Sequence, residues 1–303
     1  MKRLLLLFCL LIGLSFCVNA QQDTHYTGYM FNTLVINPAY AGSRGVNSAM
    51  IYYRHQWADI ETAPRDISFS IHGPFRPKVG LGLFVENDKI GVHNRLRLFG
   101  TYSYKLTLGP GDLSIGLQGG GLYYSSNLTD VEDLIDTDDP VFQENSSRFL
   151  PNFGIGLFYY TAKSFVGISV PHLLNNDILQ DDISTLSAEE RHYFISGGTV
   201  VDVADNVKLK PAVMLKWVPN QAPISVDLNL SFIFNQSLTL GAAHRLSESV
   251  SGFVTYQFSQ SLRGGYLYDF PLIDLPGLIG SHELFLGYEF GFPDERIVSP
   301  RFF

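Results

Sequence analysis

From about Val46 to Phe290 the chain is a succession of short segments in which apolar and polar residues alternate, each ending at a turn signal. Val79-Gly-Leu-Gly-Leu-Phe-Val85, Leu96-Arg-Leu-Phe-Gly-Thr-Tyr-Ser-Tyr104 and Ile224-Ser-Val-Asp-Leu-Asn-Leu-Ser-Phe232 are examples. Period-two patterning sends successive side chains to opposite faces of a strand. One face here is aliphatic and aromatic, while the other carries Ser, Thr, Gly, Lys, Arg and Asp. A soluble sandwich alternates similarly, but such domains have only about 100 residues, and no repeat or linker divides this chain. The pattern therefore predicts an all-β fold, a transmembrane antiparallel β-barrel of about 14 strands.

The start of the chain agrees with an exported protein. Met1-Lys-Arg is basic, Leu4 to Phe16 is apolar, and Val18-Asn-Ala20 offers small residues for cleavage. This predicts a secretory signal over 1–20, cut near Ala20, and a protein of the outer membrane. A lipid-modified Cys17 fits less well, because bulky Phe16 precedes it. Cys9 and Cys17 are the two cysteines of the sequence and both lie in the signal. Disulfides, thiol catalysis and cysteine metal sites are thereby excluded from the mature chain. Of 21 Lys and Arg, Lys2 and Arg3 go with the signal, leaving 19 against 29 Asp and Glu. That acidic balance excludes nucleic acid as a partner, since phosphate binding needs clustered cations. No later run approaches the roughly 18 apolar residues of a membrane helix.

Strands are predicted at 46–55, 65–74, 79–87, 93–108, 111–124, 152–161, 163–170, 191–203, 207–218, 223–234, 236–246, 249–259, 261–270 and 281–291. The long connections, 56–64, 125–151, 171–190 and 271–280, all follow odd strands, as outer loops do, while the periplasmic turns are short. The organisation is then a signal over 1–20, a periplasmic or plug segment over 21–45, a barrel over 46–291 and a tail over 292–303. The phase of the alternation sets the facing. Leu96, Leu98, Tyr102, Tyr104 and Leu106 should meet lipid, and Arg95, Arg97, Thr101, Ser103 and Lys105 the lumen. Leu209, Val213, Leu215 and Trp217 should face out, and Lys208, Lys210 and Lys216 in. Gly116, Gly120, Gly154, Gly156 and Gly265 fall on the inner face, where they relieve crowding or permit curvature.

Residues that could carry chemistry are few. Thr129-Asp-Val-Glu-Asp-Leu-Ile-Asp-Thr-Asp-Asp139 could hold calcium through carboxylate oxygens, but it lacks the glycine and closing glutamate of an EF-hand loop. A solvated outer loop is the plainer reading, and no cofactor is expected. The eight histidines include no i, i+4 zinc pair. There is no Gly-x-Ser-x-Gly elbow and no phosphate-binding loop, so the chain does not read as an enzyme. Arg95, Arg97, Lys208, Lys210 and Arg245 either select anions in an open pore or pair with luminal carboxylates or an inserted plug. The mature N-terminus stands apart from the barrel pattern. It contains Gly28-Tyr-Met-Phe-Asn32 and Ile36-Asn-Pro-Ala-Tyr-Ala-Gly-Ser43, in which Asn37-Pro38 favours a turn and Gly42 a tight bend into the first strand.

Those two N-terminal runs resemble the opening of the PorP/SprF family of type IX secretion and gliding proteins of the Bacteroidetes. Tyr53-Arg-His-Gln-Trp57, Ala63-Pro-Arg65, His72-Gly-Pro74, Gly80-Leu-Gly-Leu83, Asn87-Asp-Lys-Ile-Gly91 and the closing Ser299-Pro-Arg-Phe-Phe303 continue the resemblance. Thr33 stands where the family commonly has proline. The resemblance implies a barrel that works with a secretion apparatus. Its implied partners are a large secreted surface protein, such as an adhesin, bound through its C-terminal sorting domain, and the machine's periplasmic lipoprotein and ring components. Trp57, Pro64 and Arg65 are then candidates for outer-loop recognition or loop ordering. Asn37, Pro38 and Tyr40 are candidates for partner contact from the N-terminal segment. The rival reading is a passive porin or small-solute transporter.

Overall fold

A computed structural model describes residues 27–58, 60, 62–126, 146–177, 188–219, 223–272 and 279–292. The signal, the acidic segment 129–139, half of the connection 171–190 and the closing residues 299–303 lie outside them. Seventeen strands are present among the described residues. The first seven are β1 (Asn47–His55), β2 (Arg65–Arg76), β3 (Val79–Ile90), β4 (His93–Leu108), β5 (Gly111–Ser126), β6 (Ser146–Tyr160) and β7 (Ser164–Val170). A small ribbon, β8 (Asn176–Asp177) with β9 (Ala188–Glu189), lies outside the main sheet. The rest are β10 (Tyr193–Thr199), β11 (Val201–Ala204), β12 (Val207–Trp217), β13 (Ser225–Phe234), β14 (Leu238–Arg245), β15 (Ser249–Gln257), β16 (Leu262–Pro271) and β17 (Ser281–Phe290).

Neighbouring strands pair antiparallel, β17 returns to β1, and β10 pairs with β12 to shut the ring. The result is a closed barrel of fourteen strands, with β11 as one extra strand that prolongs β10 along β12. Closure leaves no open edge in the lipid, which is the condition for a sheet to cross a bilayer. The phase set by the alternation holds. Leu96, Leu98, Tyr102, Tyr104 and Leu106 are exposed on the outer wall, while Arg97, Thr101 and Ser103 are buried inside it. Val213 and Trp217 face out, and Lys210, Met214 and Lys216 face in. Aromatic pairs mark the rims. Phe232 and Phe234, Tyr256 and Phe258, and Tyr288 and Phe290 sit at the short-turn end, and Tyr193 with Trp217 at the other. Such belts place ring and wall at the membrane interfaces.

Three elements depart from the sequence expectation. The strand expected at 152–161 begins at Ser146, because Ser146 and Ser147 pair with Ser126 and Ser125 and serines give no alternation to read. β3 runs on to Ile90, since Glu86 and Asp88 are luminal residues and not the start of a turn. The strand expected over 191–203 is broken at Val200, which is buried and donates its N–H to Lys163 O at 2.8 Å. At the β13–β14 hairpin, Phe234 O accepts from Ser237 N at 3.0 Å, and Asn235 and Gln236 take φ of 48° and 57°. Two successive left-handed residues make the turn whose twist suits a hairpin.

Candidate functional site

The residues before β1 enter the barrel. Thr27–Met30, Thr33–Val35 and Pro38–Tyr40 form three short 3-10 turns that are largely buried in the lumen. An irregular segment of this kind leaves backbone groups that must find partners, because a buried unpaired group costs about 1–3 kcal/mol. The wall supplies them. Glu283 of β17 accepts from Thr27 N at 3.1 Å and from Gly28 N at 3.0 Å, and Asp269 of β16 accepts from Thr27 Oγ1 at 2.9 Å. Ser70 of β2 donates to Asn32 Oδ1 at 3.0 Å, and Ser169 of β7 to Ile36 O at 2.6 Å. Ser103 of β4 donates to Ala41 O at 2.6 Å, and Gly42 N donates to His72 Nδ1 of β2 at 3.2 Å. Asn229 of β13 donates to the Tyr29 hydroxyl at 2.7 Å.

Shape completes the fit. A Cβ on Gly116 would lie 2.1 Å from Ala39 N, and one on Gly156 2.1 Å from Asn37 Oδ1. Gly42, at φ +72°, passes so close to the wall that its Cβ would be 2.9 Å from the Gly80 Cα. The inner glycines of β3, β5 and β6 are thus the seat of the N-terminal segment. On the opposite side, Phe31 stacks on Phe285 at 4.9 Å and meets Phe253 edge-on at 5.6 Å.

Of the candidate partner residues, Asn37, Pro38 and Tyr40 all belong to this plug. Asn37 donates from Nδ2 to Leu157 O at 3.0 Å and caps the third turn by accepting from Ala39 N at 2.9 Å. The Tyr40 ring packs edge-on against His72 at 5.2 Å and Phe158 at 5.4 Å. Trp57, Pro64 and Arg65 sit at the opposite rim, in and beside the β1–β2 loop. Pro64 O accepts from Gln56 N at 3.0 Å, Trp57 N donates to Ser281 Oγ at 3.4 Å, and Ala58 N to Gly280 O at 3.4 Å. The structure therefore does not bring the two groups together. Trp57 and Ala58 tie the loop to the β16–β17 side, Pro64 closes the loop on Gln56, and Arg65 is exposed.

Behind the plug lies a charged row, of which the sequence pattern singles out Arg95 but not Arg54, Asp66, Asp88 or Glu283. Arg54 of β1 stands opposite Glu283 of β17 and Asp66 of β2, and Asp66 stands opposite Asp88 of β3, which stands opposite Arg95 of β4. Arg54 Nε is 3.2 Å from Glu283 Oε1, and the Tyr52 hydroxyl donates to Glu283 Oε2. Arg97 pairs with Glu86 at 2.7 Å and Arg245 with Asp227 at 2.9 Å, so these two luminal arginines serve ion pairs in the wall. Charged residues at luminal positions of otherwise apolar strands were the available signal. Among the described residues no group of three His, Cys, Asp or Glu could hold a metal. Two cavities adjoin the plug. One of about 60 Å³ includes Tyr29, Phe84, Phe99 and His192, and one of about 350 Å³ lies at the short-turn end.

Solved outer-membrane barrels share the fold. Omp33 of Acinetobacter baumannii superposes with a TM-score of 0.50 at 7% identity, covering 81% of this chain and 98% of that one. The toluene transporter TbuX of Ralstonia pickettii gives 0.53 at 9% identity, covering 88% and 94%. A TodX monoaromatic hydrocarbon channel mutant gives 0.52 at 12%, covering 91% and 97%. At such identities the likeness concerns the fold alone. No curated protein matches the sequence. A family model described as type IX secretion system membrane protein PorP/SprF matches residues 18–288, nearly the whole barrel and its plug. The chain is an outer-membrane β-barrel and belongs to the PorP/SprF family of type IX secretion system membrane proteins.

Proposed function

We propose that this protein is a closed, non-enzymatic receptor of the type IX machine, which binds or anchors a secreted surface protein through that protein's C-terminal domain. One observation carries the reading: Thr27–Tyr40 and the residues that follow occupy the lumen, hydrogen-bonded to β2, β4, β6, β7, β13, β16 and β17. A solute channel keeps a path through its centre, whereas a barrel fastened shut offers its two rims for binding. Loops on a rigid scaffold are where binding residues are usually placed. The outer rim around Arg65, ordered by Trp57 and Pro64, is the surface for cargo already outside. The short-turn rim faces the periplasm and the machine's lipoprotein and ring components.

Gentle extraction of the tagged protein from its native membrane, with identification of stoichiometric companions, tests this. A large secreted protein bearing a C-terminal sorting domain is the expected companion. A barrel recovered alone that conducts small solutes would replace the reading with a passive transporter.

A further inference from the structure

The plug fills the lumen unevenly. Its third turn packs against β4, β5 and β6, and across from it, at the short-turn end, the cavity of about 350 Å³ stays open. Met30, Phe31 and Phe285 line its apolar part, and Gln236, Gln257 and Gln260 line the part nearest the turns. Its charge is lopsided. Among the described residues, Arg44, Lys210 and Arg263 line it against one carboxylate, Glu289, whose Oε1 lies 2.5 Å from Arg44 Nη2. The Arg263 guanidinium donates from Nη2 to Phe31 O at a long 3.4 Å, and its Nε, although buried, has no hydrogen-bond partner among the described residues. A buried donor left unpaired carries a desolvation cost that an incoming acceptor removes.

We propose that this cavity receives the C-terminal carboxylate of a peptide chain presented from the periplasm. The inference deepens the receptor reading and rests on it, since it names the chemistry by which a protein partner would be held. The planar guanidinium of Arg263 matches a carboxylate in two-point geometry, which a spherical ammonium cannot do. Side-chain amides at the mouth both donate and accept, as a peptide backbone requires. The apolar floor suits a terminal hydrophobic side chain. A free phosphate would use the cations but neither the amides nor Phe31 and Phe285. The size lies within the range of small-ligand sites, roughly 300–1,000 Å³.

The test uses the full mature chain in detergent and a pool of random hexapeptides, synthesised once with a free C-terminus and once amidated. The site predicts at least tenfold enrichment of free over amidated peptide on the protein. Arg263→Met should abolish that preference, Arg263→Lys should retain part of it, and the exposed Gln260→Glu should weaken it without touching the barrel interior. Heat-modifiable mobility on gels confirms that each variant is folded. Equal retention of free and amidated peptides overturns the proposal. So does full displacement by millimolar inorganic phosphate, which would mark an unspecific anion site. The two readings fail separately. Peptide discrimination with no companion in the native membrane removes the receptor role alone, and a companion that binds the Arg263→Met variant unchanged removes the carboxylate site alone.

Discussion

Thr27 and Glu283 are 256 positions apart, yet the Thr27 N–H donates to Glu283 Oε1 at 3.1 Å inside the barrel. The same carboxylate accepts from Gly28 N and the Tyr52 hydroxyl and faces Arg54. One fully buried side chain of the last strand therefore fastens the start of the plug to the first strand. It sits where the barrel closes between β17 and β1, so seam and plug share an anchor.

Replacing Glu283 by Ala takes from the buried Arg54 the carboxylate 3.2 Å from its Nε, and strips two plug amides of their acceptor. Loss of one member of a buried pair costs about 3–5 kcal/mol. Urea titration followed by heat-modifiable gel mobility should show that loss. Limited proteolysis should also cut the variant near Thr27 while sparing the wall. Glu283→Gln keeps an acceptor and should lose less than Glu283→Ala.

The glycine seat makes a sharper comparison. Gly116→Val puts side-chain atoms where Ala39 now lies, and the displaced plug should become cleavable. Gly252→Ala meets nothing within 4 Å of its new Cβ and should leave proteolysis unchanged. Equal protection in both variants would mean that the plug does not rest on Gly116.

The wall itself predicts a cost by facing. Leu230 is exposed to lipid near the middle of β13. Leu230→Lys should destabilise the barrel by about 2–4 kcal/mol in lipid-vesicle unfolding. Its pairing partner on β12 is Pro211, and the adjacent Lys210 lies on the opposite, luminal face.

One substitution should stabilise. Gln236 occupies a left-handed conformation in the Asn235-Gln236 turn, where glycine pays no Cβ penalty. Gln236→Gly should raise stability by up to about 1 kcal/mol in the same unfolding assay.

How far the sequence carries follows from what each element asks of its residues. The barrel was legible because lipid on one side and lumen on the other impose an alternation that Leu96 to Tyr104 display openly. The extension of β6 to Ser146 was not, because serine satisfies either face. Asn37, Pro38 and Tyr40 stand out as a motif, but their turn packs on β2, β4, β5 and β6, and no local pattern encodes a partner 120 positions away such as Leu157. The luminal glycines were placed on the correct face, while their purpose depends on a segment that enters from outside the sheet. Glu283, the anchor of the whole arrangement, is one acidic residue in an alternating strand. Only the register with Arg54 makes it an anchor.

The most direct measurement is single-channel recording in a planar bilayer. It would compare the mature chain, a chain lacking residues 27–42, and the Gly116→Val variant. The account predicts silence from the first and steady ion currents from the other two, since removing or unseating the plug opens the lumen. A mature chain that conducts as freely as the chain without its plug would contradict it.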